Sequence, residues 1–188
     1  MARVYCAGPL FNEPERNEIQ AIAEALEEAG LETFLPQRDG LELTNLVESA
    51  SSEEAVRAVK AAIFSLDVYK LLSWSDAVVA NLNGRVPDEG TVVEAALAWH
   101  SGKALVLFKN DARSPLEGQD NPMLGGLTGF RIVTTIHEIP AALKEQIEID
   151  QTMRARRAIQ LGEKVDEARR SESTPVLLST LTNLFART

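Results

Sequence analysis

The stretch that decides the fold is residues 76–108, DAVVANLNGRVPDEGTVVEAALAWHSGKALVLF. It begins with an apolar run at 76–82 and ends with another at 104–108, and both have strand character. Between them, residues 89–101 have the composition of a helix, which Gly102 ends. Continuous apolar strands separated by a helix are typical of a parallel sheet covered on both faces. The stretch therefore predicts a β-α-β unit.

The same alternation of strands and helices continues on both sides of this unit. The further predicted elements are strands at 3–7, 31–35 and 130–134, helices at 15–29 and from about residue 136, and helical segments within 42–72 that break near residue 49. Residues 37–40 have the composition of a loop. We predict an α/β fold with a doubly wound parallel sheet of about five strands, flavodoxin-like or Rossmann-like.

The last part of the chain has a different character. From about Asp150 the sequence is charged and helical, with arginines interspersed among acidic residues, and an apolar tail follows at 176–185. Mixed charges of this kind indicate a solvated or subunit-contacting helix face. We predict one α/β domain at 1–149 and a helical C-terminal extension at 150–188.

The charge of the chain limits its partners. The sequence has 28 acidic and 19 basic residues, and its net charge of −9 argues against binding to nucleic acid. A strand at the N-terminus and the lack of a long apolar stretch predict a cytoplasmic protein without a membrane partner. His100 and His137 have no acidic or cysteine companions at ligand spacing, so we expect no metal.

The fold itself nominates a ligand site. Doubly wound sheets bind ligands beyond the carboxyl ends of the strands, where the winding reverses direction. If the strand order is 2-1-3-4-5, the loops at 7–11 and 83–91 meet at this point. Candidate substrate contacts in these loops are Gly8, Pro9, Phe11, Asn83 and Gly90.

Glu94 is the candidate for chemistry next to these loops. It is the only ionisable residue in 92–99, within an otherwise apolar helix. Burial raises the pKa of such a carboxyl, whereas a position near the helix N-terminus favours its ionised form, which can act as a nucleophile. Asp88 and Glu89 add further acid to the same turn. Two structural alternatives remain open: Glu94 completes a capping box with Thr91, and Asp88 is only an N-cap.

Several segments together resemble the nucleoside 2-deoxyribosyltransferase family. They are YCAGPLF at 5–11, LPQRDG at 35–40, Asp67, DAVVANLNG at 76–84, DEGTVVE at 88–94, and Gly102 with Lys103. The resemblance covers about residues 3–135 and is specific as a set. One spacing departs from the family pattern, because Asp67 lies nine residues before Asp76 where eight are expected.

The resemblance implies roles for the catalytic residues. Glu94 matches the nucleophile that attacks C1′, Asp88 an acid that contacts the nucleobase, and Asp67 a second carboxylate on the base side. Tyr5 matches a tyrosine that positions the nucleophile and the sugar.

The resemblance also implies substrate contacts and an oligomer. Gln37 and Asp39 lie where the family's second-strand loop lines the base pocket. Asn121 resembles an asparagine that enters the neighbouring subunit's site, which implies a homo-oligomer. The implied partners are a small-molecule nucleoside and a nucleobase, and no cofactor is required.

The leading hypothesis is transfer of 2-deoxyribose between nucleobases through a covalent glycosyl-Glu94 intermediate. One alternative is hydrolysis of a nucleoside or of a nucleoside 5′-monophosphate. The loop after the first strand has no serine or basic residue before Glu13, which disfavours a phosphorylated substrate. A second alternative is a nucleotide-binding domain without catalysis.

Overall fold

The structure is a computed structural model that describes residues 1–41, 43–111, 113, 120–171 and 173–186. It comprises two compact units, Met1–Asp150 and Gln151–Thr188. The predicted start of the helical region at Glu42 lies outside the described residues, as do residues 172, 187 and 188 of the predicted extension.

A five-stranded parallel sheet forms the centre of the first unit. Its strands are β1 (Arg3–Ala7), β2 (Glu32–Phe34), β3 (Ala77–Asn81), β4 (Ala104–Phe108) and β5 (Ile132–Val133). Their order is β2-β1-β3-β4-β5, and every pairing is parallel. The predicted α/β class and strand order are confirmed. The winding reverses between β1 and β3, so the loops after these two strands meet at the carboxyl edge.

Helices connect the strands and cover the sheet. They are α1 (Glu13–Glu28), α2 (Pro36–Asp39), α3 (Leu43–Glu48), α4 (Glu53–Tyr69), α5 (Glu89–His100), α6 (Pro122–Gly125) and α7 (Ile139–Glu148). A π-helical turn, Lys70–Trp74, continues α4, and 3₁₀ turns occupy Gly126–Thr128 and Ile136–Glu138. The second unit contains α8 (Arg154–Ser171) and α9 (Thr174–Phe185). No helix in the described part of the chain has the length and apolar character that crossing a membrane requires.

The two faces of the sheet have separate cores because side chains alternate along each strand. Val4 and Cys6 of β1 belong to the core that includes buried residues of α1 and α7. Tyr5 and Ala7 belong to the opposite core, which includes buried residues of α5. Tyr5 is fully buried, and it therefore brings a phenol hydroxyl onto the face of the sheet that α5 covers.

Two local predictions were wrong. Residues 37–40 were predicted as a loop, but α2 begins at Pro36, and the Asp39 carboxylate accepts a hydrogen bond from the Leu35 N–H at 2.8 Å. Proline at the first helical position and this side-chain bond together favour a short helix. The strand predicted at 130–134 contains only Ile132–Val133, because Phe130 has a left-handed backbone with φ of 64°.

Candidate functional site

A cavity of about 350 Å³ lies at the carboxyl edge of the sheet, where the fold predicts a site. The loop after β1 contributes Gly8 and Phe11 to its wall, and α4 contributes Asp67. The first turns of α5 contribute Gly90 and Glu94. Further lining residues are Tyr5, Leu10, Pro36, Asp88 and Glu89. The structure therefore brings the three predicted catalytic carboxyls and Tyr5 together around one space.

Glu94 is held by a hydrogen bond from Tyr5. The Tyr5 hydroxyl donates to Glu94 Oε1 at 2.6 Å, across 89 positions of sequence. The Tyr5 ring stacks on Phe34 with 5.6 Å between ring centroids, which fixes the direction of the hydroxyl. Burial, followed by the negative charge of Glu94, raises the pKa of Tyr5 well above its usual range. Tyr5 therefore stays a neutral donor.

The ionisation of Glu94 results from opposing influences. Burial is the largest and raises the pKa of Glu94 to about 7, although the Tyr5 hydrogen bond favours the ionised form. The negative charges of Asp67 and Asp88 raise this pKa further. Near neutral pH the ionised and protonated forms of Glu94 are thus both populated.

The capping-box alternative for Glu94 is wrong. Helix α5 begins at Glu89, and the backbone N–H of Thr91 donates to Asp88 Oδ2 at 2.7 Å. Glu94 therefore lies more than a turn inside the helix, beyond the reach of the first amides.

Asp88 is the N-cap of α5, which is one of the two structural alternatives that the sequence left open. Its Oδ2 atom accepts hydrogen bonds from the Thr91 N–H and, at 2.9 Å, from the Thr91 hydroxyl. The same side chain lines the cavity that contains Glu94. Asp88 therefore both caps α5 and lines the cavity.

Asp67 lies close to the end of α4, where burial raises the pKa of its carboxyl despite a favourable interaction with the Tyr5 hydroxyl. The nine-residue spacing from Asp67 to Asp76 includes the π-helical turn Lys70–Trp74. Hydrogen bonds in such a turn span five residues, so it takes up one residue more than an α-helical turn. The wider turn gives a physical account of the longer spacing while Asp67 still lines the cavity.

The predicted glycines stand where side chains would interfere. A Cβ atom on Gly8 would lie 2.9 Å from Ile19 Cδ1, and one on Gly90 would lie 3.1 Å from Asp88 Oδ2. Phe11 is 77% exposed at the mouth of the cavity. Pro9, by contrast, is buried and does not line the cavity. The loop after β1 therefore contributes two of its three predicted contacts, Gly8 through close approach of the backbone and Phe11 through an exposed aromatic ring.

Gln37 and Asp39 are separated from Glu94. Gln37 lines a second cavity of about 560 Å³, and its Nε2 donates to the Arg16 carbonyl at 2.9 Å. Asp39 lines neither cavity, since its carboxylate accepts hydrogen bonds from the Leu35 N–H and from Arg38. Of the two base-pocket candidates, only Gln37 faces a cavity next to the carboxyl cluster.

Asn83 belongs to a different polar cluster. Its Nδ2 donates to Glu18 at 2.7 Å, and its Oδ1 accepts from the backbone N–H groups of Asn110 and Asp111. These residues line a separate cavity of about 610 Å³. The structure therefore does not bring Asn83 to Glu94.

Asn121 is exposed and caps α6 by accepting from the Met123 N–H. It does not line the Glu94 cavity of its own chain. The residue before it, Asp120, forms a buried ion pair with Lys109 at 2.7 Å, which anchors this segment to the end of β4.

Sequence reasoning did not single out Leu10 and Pro36, which also line the cavity. Both lie in segments that carry the resemblance, but an apolar side chain gives no chemical signal of a site. Among the described residues, no group of three or more His, Cys, Asp or Glu side chains could hold a metal ion.

Comparisons with known proteins agree with this architecture. Residues 4–132, more than half of the chain, match the protein family described as nucleoside 2-deoxyribosyltransferase. A search of curated proteins found no match.

Two solved structures illustrate the similarity of fold. A conserved protein from Enterococcus faecalis V583 is 22% identical with a TM-score of 0.63, and the match covers 78% of this chain and 99% of that one. A 2-deoxyribosyltransferase from Bacillus psychrosaccharolyticus is 22% identical with a TM-score of 0.55, and the match covers 76% and 96%.

Proposed function

Since the chain belongs to the nucleoside 2-deoxyribosyltransferase family, we propose that it transfers 2-deoxyribose between nucleobases through a covalent intermediate on Glu94. The observation that carries the proposal is the 2.6 Å hydrogen bond from buried Tyr5 to a carboxylate that faces a cavity with three further acids. A nucleophile needs a fixed direction and a free lone pair. The Tyr5 bond occupies Oε1 and leaves Oε2 to attack.

In the first step, a Glu94 oxygen forms a bond to C1′ while the bond from C1′ to the base nitrogen breaks. The electron pair of the broken bond goes to the base, which takes a proton from an acid. Asp67 is suited to hold that proton because burial raises its pKa, and Asp88 lines the same cavity. A nitrogen of the second base then attacks C1′, releases Glu94 and returns a proton, with net retention at C1′.

The charges around the cavity favour an unphosphorylated nucleoside. Four carboxyl side chains line the cavity, and none of its described lining residues is lysine or arginine. A 5′-phosphate in this chain's cavity would meet like charges without a compensating cation. A neutral nucleoside carries no such penalty.

Mass spectrometry tests the covalent step directly. The protein is incubated with a 2′-deoxynucleoside in the absence of an acceptor base, and we expect a deoxyribosyl adduct on the peptide that contains Glu94. An adduct on a different carboxyl would contradict the assignment.

Product analysis separates transfer from the alternatives. With 2′-deoxyinosine and adenine, transfer yields 2′-deoxyadenosine and hypoxanthine. Free 2-deoxyribose in place of 2′-deoxyadenosine would identify a hydrolase, and unchanged substrates would indicate a binding domain.

We also propose a homo-oligomer in which Asn121 completes the site of a neighbour. Exposed Asn121 lies outside its own chain's Glu94 cavity, and a buried ion pair anchors its segment. Co-expression of Glu94→Ala chains with Asn121→Ala chains should restore activity that each variant lacks alone, because mixed oligomers contain some intact sites. No recovery in mixed oligomers, or a fully active monomer in sedimentation, would contradict this proposal.

A further inference from the structure

The second cavity adjoins the Glu94 cavity. The two share wall residues Leu10, Phe11, Pro36 and Asp67, whereas Glu94 lines only the first. The first cavity, at about 350 Å³, lies near the lower end of the roughly 300–1,000 Å³ typical of small-molecule sites. The second adds about 560 Å³ beyond Asp67. A ligand that reaches Glu94 can therefore extend past Asp67 into further space.

The wall beyond Asp67 is largely apolar. Ile63 and Leu66 precede Asp67 by four residues and one residue on α4, and all three line the second cavity. The spacing from Ile63 to Leu66 and Asp67 is i, i+3 and i+4, which places them on one face of the helix.

Two polar side chains of this wall, Arg16 and Gln37, are bonded to the protein through a nitrogen atom, whereas the buried Gln37 Oε1 has no hydrogen-bond partner among the described residues. Arg16 Nη1 donates to the Leu10 carbonyl at 3.0 Å, and the Gln37 amide nitrogen donates to the Arg16 carbonyl. The first contact joins α1 to the loop after β1, and the second joins α2 to α1. Because the side chains of Ile63 and Leu66 are apolar, the space next to them is suited to an apolar group.

Resting on the proposed function, we propose that the second cavity binds an apolar substituent on the exocyclic amine of the nucleobase, and that Ile63 and Leu66 determine the size accepted. With C1′ at Glu94, a base that extends toward Asp67 directs its outer edge to the shared wall. A substituent on that edge passes into the second cavity. The ligand class is thus a purine or pyrimidine with an alkyl or aryl group on its amine.

Matched acceptors test the proposal. Adenine and N6-benzyladenine, and likewise cytosine and N4-benzylcytosine, are compared as acceptors with 2′-deoxyinosine or thymidine as donor. We expect the wild-type protein to use a benzylated base about as well as its parent. The Ile63→Trp variant fills the cavity, so it should reduce transfer to the benzylated base by about tenfold or more relative to the parent base. Ile63→Phe should give a smaller loss in the same direction.

Ala61→Trp is the matched control. Ala61 is exposed and precedes Ile63 by two residues, about 200° around the helix axis. The same added ring at this position should leave the ratio of the two acceptors unchanged. An equal loss in both tryptophan variants, or wild-type rejection of the benzylated bases, would overturn the proposal.

Calorimetric binding of N6-benzyladenine and adenine separates this inference from the proposed function. Absent transfer to every parent base would refute the function, whereas the binding ratio still reports on the cavity. Tighter binding of the benzylated base by wild-type protein than by Ile63→Trp supports the proposal, and identical binding by both contradicts it.

Discussion

Two polar clusters at the carboxyl edge of the sheet differ in the groups that form hydrogen bonds or ion pairs with their acids. In the Glu94 cluster, a phenol donates to Glu94 and a threonine donates to Asp88, so the partners in these bonds are neutral. In the Asn83 cluster, the two oxygens of Glu18 accept from the amides of Asn81 and Asn83 at 2.8 and 2.7 Å. There, Asp111 also pairs with the Arg113 guanidinium at 2.6 Å.

The acids with a shifted pKa differ in the direction of that shift between the two clusters. Burial raises the pKa of Glu94, whereas hydrogen bonds from Arg113 hold the pKa of Asp111 well below its usual range. A neighbouring cation stabilises the ionised form of an acid, whereas burial and neighbouring acids destabilise it. Acids with a raised pKa are common at functional sites. Both clusters lie at strand ends, where ligands bind in this fold, but the raised pKa values that are common at functional sites are found in the Glu94 cluster.

The largest effect is expected for Glu94→Gln. The amide oxygen can still accept from Tyr5, but the nucleophile is lost, so transfer should fall by roughly 10⁴-fold or more. The melting temperature should not fall at pH 8. Ionised Glu94 opposes folding because its pKa is about 7 in the folded chain and near 4.5 in the unfolded chain. The free-energy cost of ionised Glu94 grows as the pH rises through this range. If Glu94→Gln stays active, Glu94 is not the nucleophile, and the Glu94 cluster has no chemical role that the Asn83 cluster lacks.

A smaller loss is expected for Asp88→Asn. Asparagine is as good an N-cap as aspartate, so α5 should remain intact. Transfer should fall by about 10²-fold, and the loss should be greater for bases that leave poorly, because an acid matters most for them. Steady-state kinetics with a series of leaving groups provides the measurement. Equal losses across the series would assign Asp88 to positioning alone.

On the limbs of the pH profile, kcat/KM should change by about tenfold per pH unit. Since Glu94 must be ionised to attack, kcat/KM should rise with pH on the acidic side of the profile, and it should fall again on the alkaline side because the departing base needs a protonated acid. Tyr5→Phe removes a hydrogen bond that favours the ionised form, so the profile should move to higher pH by roughly one unit. A flat profile between pH 5 and 8 would indicate that Glu94 ionisation does not control the reaction.

The smallest effect on activity is expected for Asn83→Ala. This change removes contacts to Glu18 and to two backbone N–H groups, so the free energy of unfolding should decrease by about 1–3 kcal/mol. Turnover measured well below the melting temperature should stay near that of the wild type. A raised KM with unchanged stability would instead support the predicted role of Asn83 in substrate binding.

The elements that could be predicted are those with a strong local signal. The apolar runs that form β1, β3 and β4 identify buried parallel strands, and their alternation with helices indicates the doubly wound class. The segment that became α2 was predicted as a loop, although Pro36 at the first helical position and the Asp39 bond to the Leu35 N–H both lie within or next to it. The shortening of β5 depends on the backbone conformation of Phe130.

The sequence by itself identified the residues of the Glu94 cluster. Glu94 stands out as an acid in an apolar helix, and Tyr5, Asp67 and Asp88 lie in segments that resemble one family. Their mutual geometry depends on tertiary structure, since Tyr5 and Glu94 are 89 positions apart and meet only when α5 packs on the sheet. Long-range contacts also place Asn83 in a different cluster, whereas the Asp88 cap is a local contact that the sequence left open beside the capping box. A local pattern records which residue types are present, but burial and long-range contacts determine their ionisation and partners.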